Sequence, residues 1–170
     1  INGALKIQAA CYGTMSNFTF GDKSFGYYET ICGGEGASKN HNGTDAIQCH
    51  MTNTRLTDPE ILELRYPVKI NNFSVRKNSG GNGLFKGGNG VVREIEFNKS
   101  MTAVIVSNRR KVSPSGILNG GDALKGINQL KIKNKKIKNL RSSESINVKK
   151  GDTIIIKTPG GGGYGKKATV

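Results

Sequence analysis

Of the two histidines in the 170-residue chain, His41 and His50, only His50 stands among other chemically capable side chains. It opens the run His50-Met51-Thr52-Asn53-Thr54-Arg55. An imidazole titrates near neutrality, so it can serve as a general base, orient a water or ligate a metal. The amide, hydroxyls and guanidinium beside it can bind a polar or anionic substrate. His41 lies in a polar His-Asn-Gly loop and reads as solvated. Glu29, Glu35 and Asp45 flank the glycine loop Gly33-Gly34-Glu35-Gly36. Each carboxylate can orient His50 or act as acid or base, or simply neutralise nearby lysines. Arg55, Arg65, Arg76 and Arg93 can clamp a carboxylate or phosphate, or pair with Glu29, Glu63 or Glu94.

Other chemistries find less support. The three cysteines, Cys11, Cys32 and Cys49, are odd in number and form no CxxC pair. That argues against a disulfide framework and a zinc site, and for a reducing, cytoplasmic setting. Cys32 and Cys49 read as small buried hydrophobes. No HxH or HxxxH spacing occurs, so no metal site is expected on this chain. Gly160–Gly163 lack the Lys-Ser or Lys-Thr ending of a phosphate loop and precede no helical pattern. A net charge of +14 raises nucleic acid or an anionic membrane as partners. The lysines are scattered, however, with no aromatic-basic platform, so neither partner is expected. No apolar run nears the roughly 20 residues of a membrane span.

The elements that must position these groups are short. With 24 glycines and 35% hydrophobic residues, the chain is loop-rich with a modest core. Apolar spacing over Ile1–Ala10 suggests a short helix ended by Gly13. Met15–Ile31 reads as a hairpin about Gly21-Asp22. Ala46–Met51 reads as a short strand delivering His50. Thr57 or Asp58 caps a helix over Pro59–Leu64 that must stop before Pro67. Strands follow at Val68–Lys77, with a bulge at Asn71-Asn72, at Val91–Phe97 and at Met101–Val106. Leu130–Ile132 and Ile137–Leu140 form a hairpin about Asn134-Lys135. Thr153–Lys157 is a strand buried on both faces. The echoed Gly80-Gly81-Asn82-Gly83 and Gly87-Gly88-Asn89-Gly90 read as tight turns. The expected class is α+β, a β-dominated single unit spanning 1–170 with one or two short helices, forming part of a larger domain.

Five ordered motifs carry a resemblance. They are YYETICGGEGA, HMTNTRLTDPEILELRYPV, VRKNSGGNGLFKGGNGVVREIEF, PSGILNGG and IIIKTPGGGGYG. Together they closely resemble the C-terminal part of the B domain of the hydantoinase B / 5-oxoprolinase family. CYGTMSNFTFGD extends the match, and only the lysine-rich stretch 130–150 is uncharacteristic. The matching positions include Glu29, Gly33, Gly34, His50, Asn53, Thr54, Arg55, Arg76 and Arg93. Lys86 and Asn89 stand where the family has Arg and Asp, and Lys166-Lys167 where it has Asp-Pro.

The resemblance implies an ATP-dependent hydrolase opening a cyclic amide, 5-oxoproline or a hydantoin, in glutathione metabolism. His50 or Glu29 would assist proton transfer. Asn53, Thr54, Arg55, Arg76, Gly33 and Gly34 would bind substrate, with Arg55 or Arg76 holding its carboxylate or phosphate. ATP and Mg2+ are expected on a hydantoinase A-type subunit, and the family's metal ligands on the N-terminal B portion. Alone, this chain is expected to be inactive and to need both partners, with homo-oligomers possible. The competing reading is a non-catalytic remnant or assembly module of a split gene.

Overall fold

Alternating apolar residues build nine strands, with one short helix beside them, in the computed structural model, which describes residues 4–50, 52–133 and 137–166. The strands are β1 Asn17–Gly21, β2 Gly26–Thr30, β3 Val68–Val75, β4 Val91–Phe97 and β5 Met101–Val106. β6 Ile127–Lys131, β7 Ile137–Asn139, β8 Ser143–Val148 and β9 Thr153–Lys157 follow. They form two antiparallel sheets, ordered β2-β1-β5-β8 and β3-β4-β9-β6-β7. The expected β-dominated class is what the structure has.

Strand periodicity decides which side chains enter the core. Phe18, Phe20, Ala103 and Ile105 from the first sheet meet Ile95, Phe97 and Ile154 from the second in one buried cluster. The ring of Phe20 lies 4.9 Å from that of Tyr27 and 5.8 Å from that of Phe97, tying the sheets together. β9 is buried along four of its five residues, as its unbroken Ile154-Ile155-Ile156 run requires for a central strand. β4 and β5 are adjacent in sequence but belong to different sheets, so 98–100 carry the chain from one layer to the other.

The single helix, α1 Pro59–Arg65, has a locally encoded start and stop. Asp58 accepts from Glu60 N at 2.9 Å and from Ile61 N at 3.4 Å. Pro59 fills the first turn, where no N–H is needed. Only Leu62 of this helix is buried. The strand bulge falls between Ile70 and Asn72, where the sequence places it.

Three local expectations are corrected. Residues 4–10 form a turn and one bridge, Gln8 to Ser38, instead of a helix; 1–3 lie outside the described residues. Of the strand expected over Ala46–Met51, 46–50 contribute only an isolated bridge, Gly33 to Ile47, because Ala46 and His50 turn back with φ of 51° and 56°; Met51 lies outside the described residues. The β6–β7 hairpin is present, with its turn residues 134–136 outside the described set.

The third correction concerns the glycines. Among the described glycines only Gly13, Gly151 and Gly165 have positive φ, and Asn82 and Asn89 do not, so the two Gly-Gly-Asn-Gly echoes are not positive-φ turns. They are instead irregular backbone packed closely on backbone. Gly81 N donates to Gly161 O at 2.8 Å, Gly161 N to Gly88 O at 2.9 Å, and Gly88 N to Glu35 O at 2.8 Å. A Cβ on Gly161 would stand 1.8 Å from Glu35 O, and one on Gly87 1.8 Å from Gly161 O. Glycine is required there by close approach. This layer supports the loops that carry His50 and Glu35.

Candidate functional site

His50 projects from the 46–50 turn onto a cavity of about 320 Å³. Tyr12, Thr14, Met15, Cys49, Thr52 and Asn108 share the wall with it. His50 is exposed and holds a left-handed φ, a conformation that non-glycine residues adopt at a cost and that recurs at functional sites.

Tyr12 is the anchor of this cavity. It is 1% exposed, and its ring lies on Gly33, where a Cβ would meet Tyr12 Cγ at 2.3 Å. Its hydroxyl lies 2.7 Å from Thr52 Oγ1 and donates to Gln48 Oε1 at 2.9 Å. Burial raises the phenol above its ordinary range. The residue before it, Cys11, is buried and accepts from Gly36 N at 3.3 Å. The Cys49 thiol also hydrogen-bonds to Cys11, and this contact does most to push Cys11 down to about 6. Gly36 N–H and the charge of His50 act in the same direction, against burial. The same contact, with burial, pushes Cys49 up. Cys49 is only half-buried and lines the cavity, beyond the small buried hydrophobe expected from sequence.

Glu29 lies elsewhere, on β2. Its carboxylate accepts from Arg93 Nε at 2.8 Å and Nη2 at 3.0 Å, and from the Tyr27 hydroxyl at 2.9 Å. Both charged side chains are buried. The guanidinium also lies 5.0 Å from the Phe73 ring centroid, and Arg93 Nη1 has no hydrogen-bond partner among the described residues. Burial, and the neighbouring Glu29 carboxylate, push Tyr27 up to about 12. Glu29 shares a cavity of about 160 Å³ with Thr30, Thr54 and Arg55. Thr54 and Arg55 also line an adjoining cavity of about 270 Å³ with Cys32, Gln48 and Phe73. A hydroxyl contact between Thr30 and Thr54 pins this segment to β2.

The sequence-derived residues therefore fall into separate places. His50 belongs to the Tyr12 cavity, while Glu29, Thr54 and Arg55 share the second. Asn53 is exposed and lines none of these cavities. Gly33 and Gly34 are buried, their N–H groups given to Ile47 O at 3.3 Å and Pro159 O at 3.1 Å, and Gly33 acts on the site as the seat of Tyr12. Arg76 binds Lys125 O at 2.9 Å and Thr158 O at 3.0 Å, away from the other candidates. Asp45 accepts from Asn89 N at 2.6 Å, and Glu35 from Thr44 N at 3.0 Å. Both carboxylates hold glycine loops. Tyr12, Cys11 and Asn108 escaped sequence reasoning because they lie nearly 40 residues or more from His50, with no spacing that links them. Among the described residues, no group of three or more His, Cys, Asp or Glu side chains could hold a metal ion, and no helix is long and apolar enough to cross a membrane.

Comparison with known proteins defines first the fold and then the family. The architecture matches the crystal structure of an ATP-dependent caprolactamase from Pseudomonas jessenii with a TM-score of 0.78. That match covers 94% of this chain and 30% of the other, at 24% identity, and so carries the fold alone. Residues 1–167 match the model of the hydantoinase B/oxoprolinase family, and the chain belongs to that family. It is 56% identical over 155 residues to the 5-oxoprolinase of Dictyostelium discoideum, covering 91% of this chain and 12% of that protein. It is 53% identical over 162 residues to 5-oxoprolinase 1 of Arabidopsis thaliana, covering 95% and 13%. The chain thus spans about an eighth of the length of these relatives.

Proposed function

We propose that this chain is one part of an ATP-dependent amidohydrolase that opens a cyclic amide, 5-oxoproline or a hydantoin. The observation that carries the reading is the 56% identity to a 5-oxoprolinase across nearly the whole chain. The geometry supports it with an open cavity that presents one imidazole, one anchored phenol and a pair of hydroxyl-bearing side chains.

The reaction adds water to the ring carbonyl and breaks the C–N bond, the ring nitrogen taking a proton. His50 is the proton acceptor for the attacking water, because it alone of the two acid–base candidates is exposed on an open cavity. Glu29 is the alternative, held as a carboxylate by Arg93 on the wall that Thr54 and Arg55 share. Arg55, exposed between two cavities, supplies the clamp for a substrate carboxylate or phosphate, with Arg76 as the other candidate. ATP, which an A-type subunit would hold with Mg2+, would supply the phosphoryl group that activates the amide oxygen, leaving ADP, and that group would depart as inorganic phosphate after water adds to the carbon. No metal is assigned to this chain, whose described donor set does not fit one. The complete site needs the A-type subunit and the N-terminal B portion, and its three free thiols suit the cytoplasm.

The test is 5-oxoproline-dependent formation of ADP and glutamate by this chain mixed with an A-type subunit and an N-terminal B portion. Turnover is expected only from the full set. His50→Asn, which tolerates the left-handed φ, is expected to lower kcat by about 10²–10⁴-fold. A full set without turnover sinks the amidohydrolase reading. Turnover by this chain alone overturns its dependence on partners, and an unchanged His50→Asn variant turns the chain into an assembly module.

A further inference from the structure

The Lys125-Gly126 peptide is gripped by two guanidiniums. Arg76 Nη1 donates to Lys125 O at 2.9 Å and to Thr158 O at 3.0 Å. Arg110 lies flat on the next residue, since a Cβ on Gly126 would meet Arg110 Nη1 at 2.6 Å and Cζ at 2.7 Å. Arg110 also donates from Nε and Nη2 to Asn128 Oδ1 at 3.1 and 2.8 Å, and from Nη1 to Asn108 O at 2.8 Å. Every acceptor of both side chains is neutral. Among the described residues neither has a carboxylate within ion-pair distance, and neither does Lys125.

Two adjacent, partly buried cations without an anion are an unfavourable arrangement, because desolvation and mutual repulsion both act against them. Burial and the charge of Arg76 push Arg110 down to about 10. Burial lowers Arg76 as well. Guanidinium groups remain charged at neutral pH even so. Their hydrogen bonds leave donors to spare. Among the described residues, three of the five N–H groups of Arg76 and two of those of Arg110 take no acceptor.

An opening adjoins this pair. A cavity of about 410 Å³ is lined by Arg110, Lys125, Gly126, Asn128, Gln129 and Asn139, with no acidic side chain on its wall. We propose that Arg110 and Lys125, backed by Arg76, form a binding site for a small oxyanion, a carboxylate or a phosphate. It is separate from the His50 cavity but touches it through one residue. The carbonyl of Asn108 accepts from Arg110, while Asn108 also lines the His50 cavity. The site does not rest on the hydrolase reading, since it follows from the charge balance alone.

The experiment is calorimetric titration of the chain with inorganic phosphate and, separately, with acetate, at constant ionic strength set by chloride. Saturable binding of one or both is expected, with the preferred anion identifying a phosphate or a carboxylate as the ligand. Arg110→Gln and Lys125→Gln are each expected to weaken it, Arg110→Gln by about tenfold or more. Arg65→Gln, an exposed change on the far helix, is expected to leave it unaltered. Lys125 is exposed, so its variant keeps the test valid if Arg110→Gln fails to fold. Absence of saturable heat with either anion up to about 50 mM, or equal binding by the Lys125→Gln and parent chains, overturns the proposal.

Discussion

The two walls that carry the sequence-derived acid–base candidates are built differently. Glu29 sits on a strand, and its carboxylate is occupied by Arg93 and Tyr27. His50 sits on a turn with left-handed φ, exposed and facing a cavity. A buried ion pair of this kind holds two sheets in register and leaves little freedom for proton transfer. A loop histidine exposed on a cavity has its ring open to a ligand. The contrast separates polar side chains occupied in holding the fold from one left facing a cavity.

The comparison breaks most visibly at Arg93. Arg93→Ala leaves Glu29 buried without its cation, and is expected to cost about 3–5 kcal/mol in urea denaturation. A loss under about 1 kcal/mol would mean that Glu29 is solvated and freer to react than its burial indicates. A middling effect is expected at Tyr12. Tyr12→Phe keeps the ring on Gly33 but deprives Thr52 and Gln48 of a partner, for about 1 kcal/mol by the same measurement. No change would remove Tyr12 as the anchor of the His50 cavity.

The smallest structural effect, and the sharpest test of the loop side, is at Cys11. Its thiol is held below the ordinary range, so the reactive thiolate persists to lower pH than in an ordinary cysteine and is lost as pH falls further. The rate of Cys11 alkylation by iodoacetamide, followed by peptide mass spectrometry, should rise with pH through a midpoint below the ordinary thiol value and then level off. His50→Asn removes one of the charges that lower it, so the midpoint should move upward. A midpoint near the ordinary thiol value would show that Cys49 does not donate to Cys11. Cys49, pushed the other way, should stay unreactive over the same range.

Much of the frame was legible because its causes are local. Asp58-Pro59 starts the helix, Pro67 limits it, and alternating residues in β4 and β5 mark the strands that line the core. The Ile154-Ile155-Ile156 run announced a strand buried on both faces. The motifs also placed the chain in its family, since their order along the sequence needs no coordinates.

What the tertiary structure alone decided involves groups distant in sequence. Glu29 and Arg93 are 64 positions apart, and four arginines were open as partners of Glu29. Sheet membership separated β4 from β5 although only three residues join them. The glycine echoes read as turns because glycine permits positive φ, yet they exist because backbones from Glu35, Gly88 and Gly161 approach too closely for a Cβ. Cys11 meets Cys49, and Arg76 meets Arg110 across Lys125-Gly126, only after the chain has closed. Sequence spacing encodes the period of one element and its caps. It does not encode which distant side chains must share a low-dielectric interior, and that sharing fixed both the Glu29–Arg93 pair and the uncompensated arginines.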